Sequence, residues 1–245
     1  MAISVFDANC ASLAQLTADG RLKVWDVTSE KASHEFSPPP NLASELTVAE
    51  WGTVPRFSSE NKAKKSKKTS DVVAIGTAQG HIMLWDCTRG ELLKTLGGAD
   101  TGSTARVHDL AFGAGGATLY SCAEDSTITC WNLATGSVEW TIRSGKQPCC
   151  RLALQPGGAG DVLAAAGTGI KLWDLSSRTA LRKFAGHASA VSCMRFSPAG
   201  RFLLSAAADR FLSLWDCRDS ADASPAPGPL LVFTLDSAPR QLSFA

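Results

Sequence analysis

A tryptophan followed by Asp or Asn occurs five times, at Trp25-Asp26, Trp85-Asp86, Trp131-Asn132, Trp173-Asp174 and Trp215-Asp216. This recurrence restricts the fold more than any other feature. Counting back 19 positions from four of these Trp residues gives Phe6, Phe112, Leu154 and Phe196. Only the second unit breaks the interval, since Trp51 precedes Trp85 by 34. The position six before each Trp is Asp19, Gln79, Asp125, Gly167 or Asp209, mostly residues suited to a tight reversal. Outside the second unit the Trp spacing is 42 to 46, long enough for four short strands per repeat.

The stretch from Ala190 to Asp216 serves as the template. Val191 to Phe196 alternates as a strand does, and Ser197-Pro198-Ala199-Gly200 carries turn chemistry. Phe202 to Ala206 is a second apolar run, Asp209-Arg210 marks a hairpin, and Phe211 to Trp215 alternates again. A meander this small cannot bury its own faces. It has to stack on copies of itself, so an all-β repeat architecture is expected.

The other units follow the same plan. Ile3 to Phe6, Leu13 to Thr17 and Leu22 to Trp25 open the chain, with His34 to Phe36 as a fourth strand. The second unit runs from Leu46 to Trp51, is interrupted, and resumes at Val72 before the Gln79-Gly80 turn. The third is Val107 to Phe112, Thr118 to Cys122 and Thr127 to Trp131, with Trp140 in its outer strand. The fourth is Cys150 to Leu154, Val162 to Ala166 and Ile170 to Trp173. Leu230 to Leu235 completes the fifth, and Gln241 to Phe244 opens a sixth with Phe244 at the Phe196 position. Residues 1–245 therefore read as one domain with a Lys-rich insertion at 55–71. Five units and one strand do not close a ring, so the domain is expected to be incomplete at its C-terminus.

The net charge of +1 exerts no global pull on nucleic acid or membrane, so such attraction must be local. No apolar run reaches 18 residues and the N-terminus lacks a secretory pattern, so no membrane partner is expected. The eight Cys form no Cys-x-x-Cys pair and there are only four His, so neither a metal nor any other cofactor is expected. The thiols read as free and buried. Repeated Asp19, Asp125 and Asp209 argue for structure, since catalysis does not need one carboxylate per repeat.

Lys62, Lys64, Lys65, Lys67 and Lys68 place five like charges in seven residues. Such a run is expected to form a solvated loop, with nuclear import and RNA-phosphate contact as the functional readings. No aromatic residue lies within it, so base stacking is not expected.

The Gly186-His187 pair and the terminal Trp-Asp pairs resemble the WD-repeat family. That resemblance spans essentially the whole chain and implies a β-propeller of five blades plus the first strand of a sixth. It also implies that His187, Ser205, Asp209 and Trp215 form a buried hydrogen-bonded network rather than a hydrolytic site. The third unit keeps Ser121, Asp125 and Trp131 but has Gly97-Gly98 in place of Gly-His.

The runs Asp71 to Gly80, Leu119 to Asp125 and Lys183 to His187, with the Lys-rich insertion, are similar to a subfamily. These are the nucleolar WD-repeat proteins of the small-subunit processome, in its transcription-coupled UTP-A/t-UTP subcomplex. The resemblance implies a non-enzymatic scaffold in 18S rRNA maturation, in the nucleus and nucleolus. Its partners would be other proteins of a large assembly and pre-ribosomal RNA through the Lys run, with no small-molecule substrate. In that subfamily a helical domain follows the propeller, and these 245 residues do not contain one. The alternative is a generic WD-repeat adaptor, such as a ubiquitin-ligase substrate receptor or signalling scaffold.

Overall fold

The structure is a computed structural model describing residues 3–7, 9–17, 21–37, 45–55, 69–98, 104–157, 162–217, 228–237, 239 and 242. Among the described residues, twenty strands form five four-stranded antiparallel sheets, and within each the strands are ordered as in the chain. The first sheet contains β1 (Ile3–Phe6), β2 (Ser12–Leu16), β3 (Leu22–Asp26) and β4 (Lys31–Phe36). The second has β5 (Leu46–Pro55), β6 (Thr69–Thr77), β7 (His81–Asp86) and β8 (Glu91–Gly97). The third has β9 (Val107–Phe112), β10 (Thr118–Ala123), β11 (Thr127–Asn132) and β12 (Val138–Arg143). The fourth has β13 (Arg151–Leu154), β14 (Val162–Ala166), β15 (Ile170–Asp174) and β16 (Thr179–Phe184). The fifth has β17 (Val191–Phe196), β18 (Phe202–Ala207), β19 (Phe211–Asp216) and β20 (Leu231–Thr234).

The 19-residue interval is a row of side chains running across three strands. Phe6 pairs with Leu13 and Leu13 with Trp25; Leu154 with Leu163 and Leu163 with Trp173; Phe196 with Leu203 and Leu203 with Trp215. Trp51 pairs with Val73 and Val73 with Trp85, so the second unit keeps the row despite its extra residues. A β-bulge falls just before the Trp on the way to the outer strand at Val24/Trp25, Leu84/Trp85 and Leu172/Trp173. The repeat therefore preserves an irregularity as well as the ladders.

The second unit differs from expectation in length. Its ladder continues through Gly52–Val72, Thr53–Asp71 and Val54–Ser70 to Pro55–Thr69. Strand β5 does not end at Trp51, and the expected insertion boundaries of 55 and 71 fall within paired strand. Backbone hydrogen bonding carries the two arms outward together, and Pro55 stands at the end, where a missing N–H costs nothing to the ladder. Residues 56–68, including Lys62, Lys64, Lys65, Lys67 and Lys68, lie outside the described residues. So do Asp19 and, apart from Leu242, the expected strand at Gln241–Phe244.

The chain divides into two compact units, residues 1–125 with 129–141, and residues 126–128 with 142–245. In the first, Ala14, Leu16, Leu22, Val24 and Phe36 of the first sheet pack against Val73, Ile75, Met83 and Trp85 of the second. The other face of the second sheet, with Val72, Ala74, Ile82 and Leu84, packs against Leu110, Leu119 and Trp131 of the third. In the second unit, Ala164, Ala166, Ile170 and Leu172 of the fourth sheet meet Met194, Phe196, Leu203 and Trp215 of the fifth. In all three cases the Trp-bearing face of one sheet covers a mostly aliphatic face of the sheet before it. This is how meanders that cannot bury their own faces obtain a core. Among the described residues no helix is long and apolar enough to cross a membrane.

Candidate functional site

The network expected around His187 is built on the fifth sheet. Ser205 lies mid-β18, Trp215 near the end of β19, Asp209 in the hairpin between them, and His187 in the segment entering β17. Trp215 Nε1 donates to Ser205 Oγ at 2.8 Å. Ser205 Oγ lies 2.8 Å from His187 Nε2, and His187 Nδ1 lies 3.2 Å from Asp209 Oδ2. A carboxylate only accepts, so Nδ1 carries the proton, Nε2 accepts, and the Ser205 hydroxyl donates to it. The result is one directed chain, from indole to hydroxyl to imidazole to carboxylate, in which each bond polarises the next. Ser205 is 0% exposed, Trp215 1%, and the side chains of His187 and Asp209 are 1% and 8% exposed.

Three further groups complete it, and none was apparent from residue type alone. The Ala188 N–H donates to Asp209 Oδ2 at 2.9 Å, the Phe211 N–H to Asp209 Oδ1 at 3.0 Å, and the Asp209 N–H to Ser189 Oγ at 2.7 Å. Burial pushes the Asp209 carboxyl up. The N–H groups of Phe211 and Ala188 and the His187 ring outweigh it, holding the group below the usual carboxylate range. Gly186 has its own reason to be glycine: a Cβ there would stand 2.9 Å from Trp215 Cη2. The Gly-His signature thus combines a residue thin enough to pass the indole with one that reaches the hairpin.

The other repeats carry parts of this arrangement. In the third, Trp131 Nε1 donates to Ser121 Oγ at 2.8 Å. Gly97 stands by Trp131 as Gly186 does by Trp215, with a Cβ there 3.5 Å from Trp131 Cη2. The next residue, Gly98, abuts the His81 ring, which fills the space a side chain would need. In the fourth, the register places Ala165 where Ser205 stands, and the buried Trp173 Nε1 has no acceptor among the described residues. Restoring one is expected to stabilise the fold. Ala165→Ser should add about 0.5–1.5 kcal/mol, the net worth of one hydrogen bond, measurable as a higher melting midpoint.

In four of the five Trp pairs the second residue acts in the following turn. Asp26 Oδ1 accepts from the N–H groups of Thr28 and Ser29, Asp86 Oδ1 from Thr88 and Arg89, and Asp174 Oδ1 from Ser176 and Ser177. Asn132 serves as well, because its amide oxygen accepts from Ala134 and Thr135 at 3.0 and 3.2 Å. Each turn closes four residues after the Asp or Asn on a left-handed residue: Glu30, Gly90, Gly136 or Arg178. These are Asx turns that set the outer strand in register. The Asp26 carboxyl, held mainly by the Thr28 hydroxyl, and that of Asp174, held mainly by the Ser176 N–H, both lie below the ordinary range.

The cysteines are all free. Cys87 and Cys217 each stand two residues after a Trp, and burial beside carboxylates pushes both thiols up to about 12. Such thiols are poor nucleophiles.

Comparison with known proteins agrees with this geometry. The model of the WD domain, G-beta repeat, matches residues 90–132 and 178–216. Each span takes the outer strand of one sheet and the first three strands of the next, so the sequence repeat is staggered by one strand against the sheets. The chain carries WD repeats, and its fold is all-β, with five four-stranded antiparallel sheets consistent with a WD β-propeller. It is 29% identical over 253 residues to WD repeat-containing protein 43 of Homo sapiens, covering 94% of this chain and 36% of that protein. It is 26% identical over 229 residues to the Ribosome biogenesis protein YTM1 of Laccaria bicolor, covering 90% and 44%. It is 25% identical over 227 residues to the Nuclear distribution protein PAC1 of Arthroderma benhamiae, covering 83% and 46%. The chain thus spans between about a third and a half of the length of these relatives.

Proposed function

We propose that this chain is a non-enzymatic docking platform in ribosome biogenesis, serving 18S rRNA maturation within the small-subunit processome of the nucleolus. The likeness along 90% of the chain to a protein named for ribosome biogenesis carries the reading. The sequence runs flanking the Lys-rich insertion support it. Its partners are other proteins of the assembly, and pre-ribosomal RNA through Lys62, Lys64, Lys65, Lys67 and Lys68.

The platform role follows from where the polar groups go. Ser205, His187 and Asp209 stand in the order of a hydrolytic triad. Yet the serine is wholly buried and its oxygen already accepts the Trp215 indole, so a substrate carbonyl has no approach. Part of the same device recurs in the third sheet, as repeated structure does and a single active site does not.

The test changes the five Lys to Ser, restores import with a foreign signal, and measures pre-ribosomal RNA recovery across salt. Recovery is expected to fall, with a salt dependence shallower by about 0.7–0.9 per lost phosphate contact. Unchanged recovery removes RNA contact from the insertion. Absence of the parent from the nucleolus, when expressed within a full-length relative, overturns the processome reading. The likeness to a nuclear distribution protein over 83% of the chain then favours a general WD-repeat adaptor.

A further inference from the structure

The net charge of +1 conceals a segregation along the chain. Residues 142–217 contain ten Arg and Lys against four Asp, a balance of +6, and no Glu follows Glu139 anywhere in the sequence. Three of those four Asp are already engaged. Asp209 holds His187, Asp216 lies 3.6 Å from Arg201, and Asp174 caps its own turn. The fourth, Asp161, is outside the described residues.

Part of the excess is gathered on one rim of the fourth sheet. Lys171 of β15 and Lys183 of β16 are direct cross-strand partners. Like charges so placed destabilise an antiparallel pair. Lys171 Nζ donates to the carbonyl oxygen of Ser144, which draws the segment from Arg143 to Lys146 against the same edge. Arg143, Lys146 and Lys183 are exposed. Among the described residues no carboxylate pairs with any of these four cations.

We propose that this rim binds the phosphate backbone of single-stranded RNA. The inference rests on the reading that the chain meets RNA, and it adds a contact surface distinct from the Lys62–Lys68 run. Charge complementarity supports it: four cations, two on the ladder of β15 and β16 and two where the chain leaves β12, form a positive surface that no described carboxylate neutralises. The aromatic rings of the same sheet, Trp173 and Phe184, are buried, so bases have nothing to stack on. The contact is to the backbone and reads no sequence. An acidic protein partner fits less well, because protein interfaces draw their energy from an apolar or aromatic anchor at the centre.

The test uses the full chain and a labelled 20-nucleotide oligouridylate, with affinity measured across salt. The rim variant is Arg143→Gln, Lys146→Gln, Lys183→Gln; Lys171 is kept because it bonds the Ser144 carbonyl. The control removes three charges elsewhere in residues 142–217, as Arg195→Gln, Arg201→Gln, Arg210→Gln. The rim variant should make the slope of log K against log salt shallower by about 2, at roughly 0.7 per lost contact. The control should change it by less than one contact's worth. If the triple variant melts early, the single turn variant Lys146→Glu should still make the slope shallower. Equal effects of rim and control overturn the proposal in favour of diffuse charge. An unchanged rim slope, with a reduced slope on changing the insertion Lys residues, overturns the rim and leaves the RNA reading standing. An unchanged slope in both removes both. Equal loss of poly-glutamate binding by the rim variant assigns the surface to an acidic protein and overturns it for RNA.

Discussion

Replacing His187 by Ala is expected to lower stability by about 2–4 kcal/mol. The estimate combines a buried polar group left unsatisfied with a cavity on a packed sheet. The imidazole is the link between two groups that cannot reach each other, Ser205 Oγ on one side and Asp209 Oδ2 on the other. Without it the carboxylate keeps the N–H groups of Ala188 and Phe211 but loses its side-chain partner. Thermal melting should show a fall of ~2–4 °C per kcal/mol for a chain of this size. The acid side should change too. The folded-state value of Asp209 lies below its ordinary one. Its contribution is therefore complete above the unfolded value of about 3.9 and lost as pH falls through the folded value. His187→Ala removes one cause of that depression, so part of this acid sensitivity should go with it. In a double-mutant cycle, His187→Ala and Asp209→Ala should be less damaging together than the sum of the two. An unshifted midpoint for His187→Ala would sink the idea of a buried, coupled network.

Much of the fold was legible because it repeats. The 19-residue interval locates Phe6, Phe112, Leu154 and Phe196 on the first strands of their sheets. It could not reveal how far β5 and β6 extend, since Gly52 to Pro55 and Thr69 to Asp71 carry no alternation strong enough to mark a strand. Their pairing buries Val54 and Ser70, Val54 against the third sheet, a contact that no single residue type in these stretches announces. The side chains of the fifth-sheet network were readable from the Gly-His, Ser, Asp and Trp spacing. Its backbone donors at Ala188 and Phe211 were not, because any residue supplies an N–H. The orphaned Trp173 indole shows the same limit. Ala165 reads as an ordinary small strand residue until the register sets it opposite the place Ser205 occupies. The charge segregation was written in the sequence, as the absence of Glu after residue 139. Whole-chain counting hid it by letting the acidic stretch before residue 142 offset the basic one from 142 to 217.

Gly116→Ala is expected to cost about 2–5 kcal/mol and to loosen the arm that carries the Lys-rich insertion. Gly116 closes a short 3-10 turn, Ala114–Gly116, between β9 and β10. Its φ of +68° is in the left-handed region, where an L side chain is strained by roughly 1–2 kcal/mol. A second obstacle is steric. A Cβ there would fall on the carbonyl oxygen of Thr53, 2.9 Å from its carbon and 3.1 Å from Val54 Cα. These are backbone atoms of a paired strand rather than the end of a flexible side chain, so relief requires β5 to move. A matching constraint comes from the other side, where a Cβ on Gly52 would enter the Phe112 ring of β9. Two glycines, one from each partner, therefore set the distance at which the arm of the second sheet rests on the third. Substituting Ala at Gly116 should push away the stretch from Thr53 to Pro55, which pairs with Thr69 to Asp71. Hydrogen exchange should then rise at Val54 and Ser70 more than at Val73 or Ile75, deeper in the same sheet. Gly115→Ala is the control, since its φ of +77° imposes the same backbone strain with nothing within 4 Å of the added carbon. If the two variants lose equal stability, backbone strain accounts for the loss and the close approach to Thr53 does not hold the arm.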